Sequence, residues 1–479
     1  MKTWSDRYSA VVGAAVAVAL LVPASSAVVT SLAQQVDPSR MGAGIALVAL
    51  AFAGYLALAR AFGPVATSAA DAAWLLLSPL PRRGVLRRTV GILLAISLLG
   101  GLALAVGLLS ALGVRDQLTL RLLTAVVLGV SATIGGMAMA VLAQASQAWD
   151  SWLLGTIIFV MALAVLAAVL GSGLWRPLPA AVAGVPASVG SAIAVVSAIA
   201  AAVLARRAWA ALERVPAHRV LAASTRTGQV ATATVLLDPS ALTWIAEDEH
   251  WRGRGLRSRP WPPRLHGPLV LAWPDWRRLA RRPGRSALLL ASATLPALAA
   301  RAGGGLTTFA LVLIAAGTLA AAAACTTAAR RDGDDPSLAR LSGVGTRPAL
   351  AARTLLPALA GGGWLGVALA GLVAAGALSE GPWWLFGPAA APALAAGALR
   401  MARRRPIDHS MPIIPILGGA VPMGPVVWAL TGADVAALGC APVLMALSTQ
   451  PPALGPYLVA QALAGTGVAA VFLLRRRVR

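Results

Sequence analysis

The sequence predicts an all-α protein: a polytopic transmembrane helical bundle of about 12 spans, arranged as a 6+6 internal repeat with both termini cytoplasmic. Three observations carry that expectation. Of the 479 residues, 58 % are hydrophobic and only 12 % charged, whereas soluble globular chains carry about a quarter charged residues. The apolar residues fall in runs of roughly 17 to 25, the length needed to cross about 30 Å of hydrocarbon. Finally, a basic, proline-punctuated segment, Asp71-Ala-Ala-Trp-Leu-Leu-Leu-Ser-Pro-Leu-Pro-Arg-Arg-Gly84, recurs in blurred form in the second half. Placing Asp71 on Asp335 without gaps also pairs Leu77 with Leu341, Ser78 with Ser342, Arg83 with Arg347 and Leu86 with Leu350.

Taken in order, the first run covers 8–32. It follows Lys2 and Arg7 and contains Ala24-Ser25-Ser26-Ala27, which resembles a signal-peptidase site, but apolarity continues to Ala33, so a retained span is expected. Runs at 41–61, 89–112, 122–144, 152–174 and 186–205 complete six spans. The second half offers 286–301, 306–328, 354–378, 382–399, 432–448 and 456–474. Residues 411–431 hold Pro412, Pro415, Pro422, Pro425 and a Gly418-Gly419 pair, a poor composition for an uninterrupted helix. Counting them as a span would also place Arg475, Arg476, Arg477 and Arg479 outside, against the positive-inside rule. They are therefore read as a re-entrant or interfacial cytoplasmic segment. The resulting organisation is a six-span half at 1–205, a cytoplasmic connector at 206–285 and a second six-span half at 286–479.

Of the 40 Lys and Arg residues, only Arg40, Arg115, Arg121, Arg176 and Arg301 fall outside in this topology, a bias that fixes orientation. The formal charge of +23 thus reads as membrane topology, and no nucleic-acid partner is expected. Within the connector, Gln229 to Leu237 alternates weakly, as a strand does. Trp273 to Arg285 sets Trp276 and Leu279 against Arg277, Arg278, Arg281 and Arg282, the pattern of a basic amphipathic helix on the inner leaflet of the bilayer, with Trp273 as a further interfacial anchor. Cys325 and Cys440 are far apart and lie in apolar stretches, so neither a disulfide framework nor a cysteine metal site is expected.

Several chemistries are disfavoured by what is missing. All 17 carboxylates map to loops or span ends, and ion-coupled carriers usually keep an ionisable group near the midplane. Lys2 is the only lysine, so no Gly-x-x-x-x-Gly-Lys-Ser/Thr phosphate loop exists and the chain is not expected to be an enzyme of that kind. Nor is there a His-Glu-x-x-His motif. Glu247-Asp248-Glu249-His250 is a run of consecutive residues that cannot easily converge on one ion, and Asp332, Asp334 and Asp335 lack calcium-loop spacing, so no metal is expected. The abundance of Gly and Ala in the spans permits close helix approach and leaves few polar handles, which favours a hydrophobic or amphipathic cargo over a sugar or an ion. Gly303-Gly304-Gly305 reads as a tight turn between spans.

The Asp71–Arg88 segment, the Trp273-Pro-Asp-Trp-Arg-Arg-Leu-Ala-Arg-Arg-Pro283 helix and Pro422-Met-Gly-Pro425 resemble their counterparts in actinobacterial ABC exporter permeases, of an uncharacterised family related to the type-2 exporters with two six-span units fused in one chain. That resemblance implies a cell (plasma) membrane permease gripped by two ABC ATPase domains on a separate polypeptide, with ATP and Mg bound there and no cofactor in this chain. By position, Asp71, Trp74, Leu77, Ser78, Pro79 and Arg83 would form one ATPase contact, and Asp335, Leu338, Leu341 and Arg347 the other. Independently, such an element must be stiff, lead straight into a span and offer an apolar knob. Trp74, Leu75 and Leu77 with Pro79 and Pro81 meet those needs, and Arg82, Arg83, Arg87 and Arg88 can meet lipid phosphates. In the second copy Gly343 and Gly345 replace the prolines and Leu338 replaces the tryptophan, so the two docking surfaces are unequal. The alternatives are a major-facilitator-like secondary carrier, whose compact Gly/Asp/Arg loop is missing here, and a non-transporting membrane scaffold or lipid-handling enzyme.

Overall fold

The computed structural model describes residues 38–67, 74, 81–113, 117–171, 186–235, 262, 265–281, 283–335, 343–405, 407–408, 410–416 and 419–474. The chain divides into two compact units, Met1–Gln229 and Val230–Arg479, a boundary that falls within the predicted connector.

In the first unit the long helices are α1 (Pro38–Phe62), α2 (Arg82–Leu112), α3 (Leu118–Ala145), α4 (Gln147–Leu170) and α5 (Ala187–Ala211), followed by a short 3-10 turn at Leu212–Arg214 and by α6 (Ala217–Val235). None of α1 to α5 contains a proline beyond its first turn, and each is dominated by Ala, Leu, Val and Ile, so nothing interrupts the backbone ladder that hydrocarbon demands. Helix α3 is the hub, packed on α2 and on α5, while α1 packs on α4. The α2–α3 crossing is close because Gly101 and Gly129 meet there: a Cβ on Gly101 would lie 2.6 Å from the Val130 Cα, and one on Gly129 would collide with the Gly101 carbonyl oxygen. Leu86, Val141, Leu142, Ala208 and Leu212 form a core at the arginine-rich end.

The second unit contains α7 (Leu269–Ala280), α8 (Pro283–Ser292), α9 (Leu295–Gly303), α10 (Thr308–Ala323), α11 (Thr327–Asp334), α12 (Thr346–Ala374) and α13 (Phe386–Ala402). A hairpin of β1 (Ile413–Ile416) and β2 (Gly419–Pro422) follows, antiparallel with Ile413 opposite Pro422. The chain then continues through α14 (Met423–Leu430), α15 (Ala433–Gly439), α16 (Ala441–Thr449) and α17 (Gly455–Leu474). Helix α13 is the hub here, packed on α12 and α17. Gly362 and Gly387 bring α12 and α13 together, since a Cβ on Gly362 would lie 2.8 Å from the Gly387 carbonyl oxygen.

Among the described residues, nine helices are long and apolar enough to cross a membrane, or ten if α10 and α11, bent by 60°, form one span. The expected 8–32 span lies outside the described residues. At 286–301, α8 and α9 are separated only by the turn at Ala293–Thr294 and together make one of these nine, Pro283–Gly303, whereas at 432–448 the chain splits at Cys440 into α15 and α16, neither of which spans alone. Pro442 in the first turn of α16 explains the split, because it has no N–H to continue the ladder. Gln461, fully buried on α17, mends the break: its Nε2 donates to the Gly439 carbonyl (2.6 Å) and its Oε1 accepts from the Val443 N–H (3.1 Å). The hairpin is an exception to the all-α expectation, and with α14 it replaces any continuous helix at 411–431. The strand expected at 229–237 is corrected too: residues 229–235 prolong α6, the helix started at Ala217 outweighing weak alternation. Gly304 and Gly305, at φ 75° and 154°, form the tight turn after α9, with the Gly305 N–H on the Ala300 carbonyl.

Candidate functional site

Each unit has a segment that leads into its longest helix, and the described residues flanking both segments are held by side-chain contacts. Helices α2 and α12 begin at Arg82 and Thr346, positions that the gapless pairing of the two sequence copies places on each other.

In the first unit, α1 ends at Phe62 and the chain turns at Gly63, whose φ of 73° suits glycine. A Cβ there would press on Ala223 and on the Gln144 amide. That amide serves as a substitute strand partner: Oε1 accepts from the Val65 N–H at 2.9 Å and Nε2 donates to the Val65 carbonyl at 3.0 Å, both buried. The Thr67 N–H donates to Ser224 Oγ (3.0 Å), the Thr89 hydroxyl to the Ala66 carbonyl (3.2 Å), and Arg226 Nη1 to the Ala61 carbonyl (2.6 Å). On the far side of residues 68–80, Arg82 Nη1 donates to the Val215 carbonyl at 2.6 Å and Arg83 pairs with Glu213 at 3.2 Å. Both ends of the segment are thereby fixed to α3, α6 and the 3-10 turn between α5 and α6.

The second unit does the same with charge. Arg353, on α12, sits between two carboxylates: its Nη1 donates to Asp275 Oδ2 of α7 at 2.7 Å, and its Nε donates to Asp332 Oδ2 of α11 at 3.1 Å. Nη1 also donates to the Leu271 carbonyl at 2.7 Å. The Asp275 side chain is only 5 % exposed, with the Arg278 guanidinium 3.9 Å from its other oxygen. Burial raises the Asp275 carboxyl above its ordinary range, and the charges of Arg353 and Arg278 offset part of that rise.

Of the residues expected at the first contact, Trp74 lies in helical backbone and is 81 % exposed, and Arg83 is in the first turn of α2, paired with Glu213. Asp71, Leu77, Ser78 and Pro79 lie outside the described residues, as do Leu338 and Leu341 of the second. Asp335 follows α11 directly and Arg347 is in the first turn of α12, both exposed. The expected interfacial helix is α7, beginning at Leu269. Trp276 is exposed, Arg277 lies 5.8 Å over the Trp273 ring, and Arg281 is exposed beyond the helix end. Arg282 lies outside the described residues. Arg278, on the basic face expected of this helix, lies 3.9 Å from Asp275.

Gln144, Ser224, Asp275 and Arg353 were not singled out by sequence reasoning. A signal existed for two of them: Arg353 and Thr89 occupy paired positions in the two copies, and Asp275 is an acid placed i−3 to Arg278 in an otherwise basic helix.

Nine apolar helices define a multi-pass helical membrane protein, and among the described residues no cluster of His, Cys, Asp or Glu is arranged to hold a metal ion. The family DUF6297, a family of unknown function, matches residues 36–412, and the chain belongs to it. No curated protein and no solved structure shows significant similarity to the chain.

Proposed function

We propose that the chain is the permease subunit of an ATP-driven exporter in the cell membrane, moved by ATPase domains carried on a separate polypeptide. The observation that carries this reading is that, in both units, the described residues flanking 68–80 and 336–342 are held by side-chain contacts. A segment pushed by a motor transmits force only if its ends are fixed to the helices that must move. Arg82, Arg83, Gln144 and Thr89 do this in one unit, and Arg353 with Asp275 and Asp332 in the other. Trp74, exposed within the first segment, supplies the apolar knob. Charged groups cluster at the helix ends, as at Arg60–Asp150 and Arg400–Asp434, while buried polar contacts within the spans, such as Tyr55–Ser97 and Thr133–Ser97, are neutral. That distribution fits a transporter driven from outside its membrane part better than one driven by a coupling ion. A 6+6 repeat with alternating access between the halves completes the proposal, with a hydrophobic or amphipathic cargo.

The test is to purify the chain from its native membrane and measure associated ATP hydrolysis for wild type, Trp74→Ala and Arg83→Glu. Co-purifying ATPase whose activity or association falls in both variants supports the coupling role. A chain that carries no ATPase activity refutes it.

A further inference from the structure

An open groove of about 110 Å³ runs between α2, α3 and α5 at the arginine-rich end of the first unit. Val90 and Leu94 line it from α2, Met137 and Val141 from α3, and Ala208 and Trp209 from α5. Leu94 and Trp209 are 48 % and 41 % exposed, so the groove opens to the surroundings of the helices. Its mouth is charged. Arg87 lies three and seven residues before Val90 and Leu94, on the same face of α2 and about 5 to 10 Å nearer the helix start. On α5, which runs toward the arginine-rich end, Arg206 lies five residues before the last residue of the helix, as Arg87 lies five after the first of α2, and Trp209 is one turn nearer that end. Both arginines are exposed and, among the described residues, form no ion pair or hydrogen bond. Arg82 and Arg83, by contrast, are engaged by Val215 and Glu213.

We infer that this groove binds one anionic phospholipid of the arginine-rich leaflet, an acyl chain lying against Val90, Leu94 and Met137, with the phosphate between Arg87 and Arg206 and Trp209 beside the headgroup. Charge complementarity selects the occupant. An apolar trough in a membrane helix bundle accepts any acyl chain, but two unpaired guanidiniums at headgroup depth favour a net negative headgroup over a zwitterionic one. The orientation predicted by the positive-inside rule makes this the inner leaflet. The inference is independent of what drives the chain and stands apart from the coupling proposal.

Trp209 is a built-in reporter. The full-length protein is placed in bilayer discs containing either brominated phosphatidylglycerol or brominated phosphatidylcholine, and the Trp209 signal is isolated as the difference between wild type and Trp209→Phe. Quenching by the anionic lipid is expected to saturate at a lower mole fraction than quenching by the zwitterionic one. In Arg87→Gln and Arg206→Gln that preference is expected to fall about fivefold per arginine removed. Both positions are exposed, so a single monodisperse elution peak verifies that folding is retained. Equal quenching by the two lipids, or a preference that survives in the double variant, overturns the inference and leaves only non-selective lipid around the helices. Native mass spectrometry supplies a second measurement: retained phosphatidylglycerol is expected on wild type and not on the double variant, and retention by both overturns it.

Discussion

The two arginine-rich ends solve one mechanical problem with different chemistry. At paired positions near the start of the longest helix of each unit, Thr89 donates one hydrogen bond to a backbone carbonyl, whereas Arg353 bridges two carboxylates and a carbonyl. The first unit spreads its clamp over many contacts, most of them to backbone groups, led by the Gln144 amide and by arginines aimed at backbone oxygens. The second concentrates it in one guanidinium, on a side chain only 11 % exposed. A distributed clamp loses little when a member that makes a single bond is removed, while a concentrated one fails at a point. If the coupling proposal holds, the first end is the tolerant one and the second the brittle one.

The largest expected effect is therefore at Arg353. Arg353→Ala leaves two carboxylates facing each other, Asp275 within protein at 5 % side-chain exposure, and breaking a buried pair in this way costs about 3–5 kcal/mol. Thr89→Val at the paired position removes one hydrogen bond, about 1 kcal/mol. Thermal unfolding of the two variants in detergent, read against wild type, checks the contrast. Similar losses would break the comparison between a brittle and a tolerant end.

Gln144→Leu comes next. It strips both partners from Val65, whose N–H and carbonyl are then buried and unsatisfied at about 1–3 kcal/mol each. Gln144→Glu keeps the acceptor for the Val65 N–H but loses the donor to its carbonyl, so its loss should fall between wild type and the leucine variant. Denaturant titration separates the three.

Much of this fold was legible in the sequence and much of the clamp was not, for one physical reason. Apolar runs report burial in lipid directly, so α1 to α5 fall close to the expected spans, their ends displaced by several residues. Breaks inside a run depend on single residues whose effect is settled by tertiary partners. Pro442 ends a helix where Gln461 is present to satisfy the freed groups, but Pro357 sits inside α12 and leaves it continuous. The clamps are harder still to read. Gln144 lies 79 residues from Val65, and Asp275 lies 78 from Arg353. No local pattern announces such pairs. The apolar runs put the spans at 89 and 354, several residues after the starts of α2 and α12, and the gapless pairing of the two copies could not tell that Thr89 and Arg353, at one paired position, do comparable work.

A smaller effect sharpens the contrast through pH. Burial raises the Asp275 carboxyl, so the folded protein holds that proton more tightly than the unfolded chain does. Its contribution to stability is fully present below the ordinary carboxylate value of 3.8 and is lost as pH rises through the folded value. Asp275→Asn removes that slope while keeping a hydrogen-bond acceptor for Arg353. Melting temperature followed against pH should thus fall more steeply for wild type than for Asp275→Asn across that window, and parallel profiles would show that Arg353 fully compensates the burial.

The smallest expected effect concerns a tie that only the first unit has. Arg60, in the last turn of α1, grips Asp150, in the first turn of α4, through two parallel bonds of 2.7 and 2.8 Å. Carrying the pairing of the copies forward puts Ala324 and Ile414 at those places in the second unit. Ile414 belongs to the hairpin that stands where the first unit has continuous α4. The Arg60 and Asp150 side chains are 35 % and 38 % exposed, so screening by solvent and salt limits the pair to about 1 kcal/mol or less. Arg60→Gln is expected to lower the melting temperature slightly at low ionic strength and hardly at all in high salt. A loss that persists in high salt would mean that the pair is shielded from water, and that the α1–α4 contact in the first unit is held by a concentrated charge clamp after all, as the second unit's helix start is held by Arg353.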